Sequence, residues 1–315
     1  MVFNSLTNKF LESKFTKSLE EPKLRTGLFL GLVFISTIIR LVLEFYVNDN
    51  FNDRTIANLY ATDPNCYRLF LQFLLILHNS FGINLFLSSA FIFIILVTII
   101  YSSLKPTGKD YFLLLLISIL PMPFQEIVPL FLLFVLVKNR DQNWVYLLLI
   151  PLALTKEVMA WVGFWYLFLT VERISDIHKV VISGFLGASA YVLIRLLIGE
   201  VGRGNVPHPF GAPPCPFFSP PHWIKLFLSN QNNYAFTMTL MTSIIIVFLY
   251  LFVISTKLDV YLFLMSMIPI LLFACFFLMY LYFPVSLIVL TNRMTVKKRY
   301  IPLRDLISKD QAVPE

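Results

Sequence analysis

Uninterrupted apolar runs close to 20 residues recur along all 315 residues of this chain. A run of that length is what a hydrocarbon core roughly 30 Å thick asks of a spanning helix. Mean hydropathy is +0.77, hydrophobic residues make up 58% and charged ones 14%, far from soluble averages. Transmembrane strands would alternate apolar and polar over about ten residues, and these runs do not alternate. The expectation is an all-α polytopic membrane protein with about eight to ten transmembrane helices. Amphipathic juxtamembrane helices are expected in the first outer loop.

The net charge of +7 does not imply a nucleic-acid partner, because the basic residues collect at the chain ends and in short loops, as orientation signals do. Cys66, Cys215 and Cys275 lack ligand spacing, so neither zinc nor a disulfide framework is indicated. The first apolar run starts near Thr26, too late and too long for a cleaved signal peptide.

In order, residues 1–25 form a cytoplasmic lead-in that Pro22 closes, and a first helix spans about Thr26–Tyr46. Arg40 and Glu44 lie one helical turn apart near its end and could pair. The first outer loop, 47–82, carries Asp49, Asp53 and Asp63. It contains an amphipathic segment, Tyr67–Phe81, with Arg68, Gln72 and Asn79 on one stripe. A return helix covers Ile83–Tyr101.

Three later stretches are too long for one ordinary span: Tyr111–Val137, Trp144–Thr170 and Val260–Leu290. Read as hairpins, they leave 18 Lys/Arg inside and 5 outside, with Arg40 and Arg195 within helices; single spans would scatter the basic loops to both faces. Arms of about 12 residues rise only ~18 Å. Their tips, with Gln125, Glu126, Lys156 and Glu157, then sit in a recess below the outer surface, where charges need a cavity or each other. A helix with Gly184, Gly187, Ala188 and Ala190 follows over Lys179–Gly199, with Arg195 near its end. The Pro-rich outer loop 200–234 carries Arg203, a further helix runs near Ala235–Ser255, and residues 26–292 form the membrane domain. The basic tail 293–315 returns inside. Both termini are expected in the cytoplasm, with the plasma membrane or the endoplasmic reticulum as host.

The outer side thus gathers Asp49, Asp53, Asp63, Glu126 and Glu157 with Arg40, Arg68, Lys156, Arg195 and Arg203. Cations at leaflet depth suit a lipid phosphate, and a nearby carboxylate can take a proton from an acceptor hydroxyl. Each also has a plain reading. Asp49 and Asp53 can be solvated loop residues, Asp63 before Pro64 a turn residue, Lys156–Glu157 an interfacial ion pair capping a hairpin, and Arg40 and Arg195 snorkelling cations. The four histidines are scattered and the four tryptophans read as interfacial anchors.

The order of helix, acidic outer loop, amphipathic segment ending in Phe81-Gly82 and return helix resembles the GT-C superfamily of membrane glycosyltransferases. The segment FQEIVPLFLLFVLVKNRDQNWVYLLLIPLALTKEVMAWVGFWYLF is similar to their third to sixth helices. The resemblance covers roughly residues 26–200. It implies a polyprenyl-phosphate sugar donor, transfer to a protein or glycan acceptor on the extracytoplasmic face, inversion at the anomeric carbon, and an Asp of the first outer loop as base. Asp53 is the first candidate and Asp49 the second; a divalent metal held by the two is the one cofactor considered. Glu126, Lys156, Glu157, Arg68, Arg40, Arg195 and Arg203 are the substrate-binding candidates. Asn65-Cys66-Tyr67 stands where the family often has two prolines, and the soluble C-terminal domain of many members is not expected. The rival readings are a non-catalytic GT-C-like subunit or scaffold, and a lipid or anion transporter.

Overall fold

A computed structural model describes residues 21–47, 80–119, 124–197, 257–273 and 283–295, with Phe73, Leu74 and Leu77 beside them. These residues are helical, with no strand among them. The elements are α1 (Pro22–Val47), α2 (Leu85–Leu104), α3 (Gly108–Ile119), α4 (Ile127–Lys138), α5 (Leu149–Thr155), α6 (Glu157–Thr170), α7 (Ile174–Leu197), α8 (Lys257–Phe273) and α9 (Phe283–Thr295). A 3₁₀ turn, Phe124–Glu126, leads into α4, and a longer one, Asn143–Leu148, leads into α5. The segment expected at Ala235–Ser255, the Pro-rich loop and most of Tyr67–Phe81 lie outside the described residues.

Helix boundaries follow local chemistry. Pro22 starts α1 instead of closing the segment before it, correcting the start expected at Thr26. The first turn needs no proline N–H and favours its fixed φ, and the Arg25 amide donates back to the Glu21 carbonyl at 3.0 Å. The Asn84 side chain caps α2 by accepting from the Leu87 amide at 3.0 Å. At its other end, Lys105 turns left-handed (φ 50°) and its amide donates to the Tyr101 carbonyl at 2.7 Å. Pro284 occupies the first turn of α9, where it breaks no helical hydrogen bond.

Side-chain contacts fix how the helices run. Thr26 Oγ1 lies 3.3 Å from the Tyr101 hydroxyl, and the Tyr111 hydroxyl donates to the Arg25 carbonyl at 3.4 Å. The start of α1, the end of α2 and the start of α3 therefore share one end of the bundle. Lys138 at the end of α4 donates to Ser103 on the last turn of α2. The Arg140 Nη2–Glu172 Oε1 contact of 3.3 Å and the Lys179–Asn143 bond of 3.0 Å join the two ends of the next stretch. Residues 108–138 and 143–170 are thus hairpins, as expected. Arg293 Nη2 lies 2.6 Å from Asp110 Oδ1, which brings the end of α9 to the same basic end.

The arms are short. At 1.5 Å per residue α3 rises ~18 Å and α6 ~21 Å. The six-residue 3₁₀ turn at about 2 Å per residue brings the α5 arm to ~22 Å. Among the described residues, three helices are long and apolar enough to cross a membrane: α1, α2 and α7. Their outward faces carry Phe34, Ile35, Phe91, Ile95, Ile182 and Phe185, all more than two-fifths exposed. The bundle is apolar inside and out, and an exposed apolar surface of this extent marks contact with something other than water.

α9 is the axis of the bundle. Residues 284–291 are all buried, and the helix packs on α3, α4, α6 and α8. The glycines of α7 let it approach α5 and α6. A Cβ at Gly187 would stand 2.9 Å from the Leu149 carbonyl oxygen, and one at Gly184 2.7 Å from the Phe164 ring. Backbone cannot yield as a side chain can, so Gly187→Ala should cost about 1–3 kcal/mol of stability. Gly31→Ala on α1, where nothing lies within 4 Å of the added carbon, should be neutral or stabilising by up to ~1 kcal/mol. Melting of the two variants in the same detergent checks the pair.

Candidate functional site

The tips of the two hairpins meet. α5 ends at Thr155, whose hydroxyl donates to the Pro151 carbonyl at 2.8 Å. Lys156 is fully extended (φ −161°, ψ 111°), and α6 begins at the next residue. Its backbone is satisfied on both sides. The amide donates to the Leu152 carbonyl at 2.7 Å, and its own carbonyl accepts from the Met159 and Ala160 amides at 3.0 and 3.1 Å. One residue thus closes one helix and opens another, and its side chain is thrown sideways.

That side chain reaches Glu126, the last residue of the 3₁₀ turn before α4. Lys156 Nζ donates to Glu126 Oε1, with the two side chains only 3% and 5% exposed. This carboxylate is 30 residues upstream in sequence; the side chain of the adjacent Glu157, the partner the sequence suggests, lies outside the described residues. Burial of either charge alone costs several kcal/mol, and their contact offsets that cost. The pair therefore ties tip to tip.

Arg40 completes the cluster from α1. Its guanidinium carbon lies 4.0 Å from the Phe124 ring centroid and 5.4 Å from that of Phe93. Phe124 is two residues before Glu126, so one 3₁₀ turn carries both the ring under Arg40 and the carboxylate on Lys156. A cation over an aromatic face in a dry setting is worth roughly 2 kcal/mol. The Ser36 hydroxyl, one turn before Arg40, donates to the Ile119 carbonyl at 3.2 Å and holds α1 against the end of α3.

Of the residues expected to act together, Glu126 and Lys156 touch, and Arg40 joins them through Phe124. The backbones of Glu157 and Arg195 are placed, at the start of α6 and in the last turn of α7, but their side chains lie outside the described residues, as does that of Glu44. Asp49, Asp53, Asp63, Arg68 and Arg203 also lie outside them. Phe93 and Phe124 were not singled out in the sequence; aromatic residues on apolar helices carry no signal of a cation above them.

The opposite end holds a second polar layer. The Tyr166 hydroxyl donates to Asn292 Oδ1 at 2.9 Å, next to the Arg293–Asp110 pair. Arg140, only 7% exposed, contacts Asp141 as well as Glu172. Lys179 bonds Asp176 Oδ1 at 2.8 Å and lies over the Tyr146 ring. These contacts join helix ends and enclose no group of metal ligands among the described residues.

No family model, curated protein or solved structure matches the chain.

Removing one member of the tip pair should strand the other. Glu126→Leu or Lys156→Met alone should lose about 3–5 kcal/mol, and the double variant much less than the sum of the two. A double-mutant cycle followed by unfolding in micelles measures the coupling; additive losses would mean the contact contributes nothing.

Proposed function

We propose that the chain is a polytopic membrane protein of GT-C-like design that moves a sugar from a polyprenyl-phosphate carrier to an acceptor on the extracytoplasmic face. The observation that carries this reading is the buried Glu126–Lys156 pair at the tips of hairpins too short to span a bilayer, with Arg40 over the neighbouring Phe124 ring. Charged groups at that depth are costly and are retained where they meet a ligand or each other. The resemblance of residues 26–200 to the GT-C superfamily supplies the reaction class.

In this reading the basic end is cytoplasmic and the tips face outward. Arg40 and Lys156, with Arg68, Arg195 and Arg203, draw the carrier phosphate, and Glu126 holds Lys156 in place until the phosphate arrives. Glu157 orients the sugar from the start of α6. Asp53 takes the proton from the acceptor hydroxyl as that oxygen attacks the anomeric carbon from the side opposite the departing phosphate. Asp49 assists, through a shared divalent metal if one is used.

A second reading, a non-catalytic scaffold, is favoured by one feature of the same cluster. Lys156 already has its counter-charge in Glu126, and both side chains are buried. A transporter of lipid or anions is the third, since cations in a recess suit passage as well as transfer.

The base decides between the first two. Asp53→Asn keeps size and polarity, and transfer should fall about 10²–10⁴-fold while polyprenyl-phosphate binding survives. Asp49→Asn should match it only if a metal is shared, in which case a chelator also stops the wild type. Wild-type rates in both variants would remove the first outer loop from catalysis and leave the scaffold.

Orientation has its own check. With a cytoplasmic tail, Lys309→Cys should resist an impermeant thiol reagent in intact cells and label after permeabilisation.

A further inference from the structure

The connection between α2 and α3, Lys105-Pro106-Thr107, is the most unbalanced corner of the basic end. Lys23, Arg25, Lys105, Lys109 and Arg293 lie on the helix ends that meet there, with Glu21 and Asp110 as the carboxylates of those ends among the described residues. Across the same end the cations are largely matched: Arg140 has Asp141 and Glu172, and Lys179 has Asp176.

The corner is also short of acceptors. Arg293 meets Asp110 through Nη2 alone, while its Nε and Nη1 and the Nε of Arg25 are buried without an acceptor among the described residues. Lys105 and Lys109 are exposed at the rim. Beneath them the hydroxyls of Thr26, Tyr101 and Tyr111 share one level, bonded to each other or to backbone.

From this rim an apolar stripe runs along α2. Ile99, Ile95, Phe91 and Leu87 recur every four residues on one side of the helix and are 41–65% exposed. Ile99 to Leu87 spans about 18 Å along the axis, close to the ~15 Å depth of one leaflet's hydrocarbon. A cationic rim above an apolar stripe of that length has the layout of a phospholipid, headgroup above and acyl chain below.

We propose that the α2–α3 turn seats the headgroup of an anionic phospholipid, its phosphate drawn by Lys105, Lys109, Arg25 and Arg293, with an acyl chain along α2. The site rests on the membrane reading above and is independent of sugar transfer. It differs from a general basic surface in being confined to one corner.

The test uses the full chain purified in mild detergent and offered phosphatidylglycerol and phosphatidylcholine in equal amounts, with retained lipid counted by native mass spectrometry. The wild type should retain phosphatidylglycerol preferentially, and inorganic phosphate should not displace it. Each basic residue near such a headgroup is worth about a factor of five, so Lys105→Gln with Lys109→Gln should lower the preference about 25-fold. Arg173→Gln, at a different exposed turn of the same end, should leave it intact, and Lys105→Arg with Lys109→Arg should retain it. Preference unchanged in the Gln pair, or lost equally in Arg173→Gln, would overturn the site. A chain that enters vesicles yet shows no lipid preference overturns this site alone; a chain that stays in the aqueous phase overturns the membrane reading with it.

Discussion

A lysine and a glutamate share a place where neither can reach bulk water. Much of the bundle follows from that. Arms of ~18–22 Å bring the turning points of two hairpins to the same depth, and a turning point cannot be made of apolar side chains alone. Its backbone must change direction, and backbone groups need partners wherever they lie. Lys156 resolves this with its own amide and carbonyl, and Glu126 resolves the charge that comes with it.

The second polar layer follows a different logic. Arg293–Asp110, Tyr166–Asn292, Arg140–Glu172 and Lys138–Ser103 join residues far apart in sequence. Each sits where a helix ends, so its strain-free partners are the neighbouring helix ends. Between the two layers the packing is almost wholly apolar, with Leu130, Leu133 and Leu136 on α4 fully buried against α9 and α6. The bundle is thus pinned at both ends and filled by shape in between, with glycines 163, 184 and 187 setting the closest approaches.

The hairpins of residues 108–138 and 143–170 were legible because run length and the placement of Lys and Arg are local, countable properties. The small-residue face of α7 was legible for the same reason. Three features were not. Pro22 reads as a breaker when taken alone, yet at the first helical position it lacks nothing the helix needs. Lys156 has a carboxylate beside it in sequence, and nothing along the chain says that one 30 residues earlier comes into contact with it. The rings beneath Arg40 were equally silent, because Phe93 and Phe124 look like any other apolar residues. Asp49, Asp53 and Asp63, the first two of which the resemblance puts at the centre of the chemistry, lie outside the described residues.

The central position of α9 has a consequence for assembly. Residues 284–291 are buried on every side by α3, α4, α6 and α8, all of which are synthesised earlier. Until α9 arrives, those helices must enclose a slot or stand apart, and the Asp110 carboxylate waits for Arg293 across 183 residues of chain. Closure is therefore a late event that joins distant parts of the sequence, the kind of step that is slow and exposes apolar surface beforehand. In this protein, a truncation that removes α9 would cost the bundle its axis.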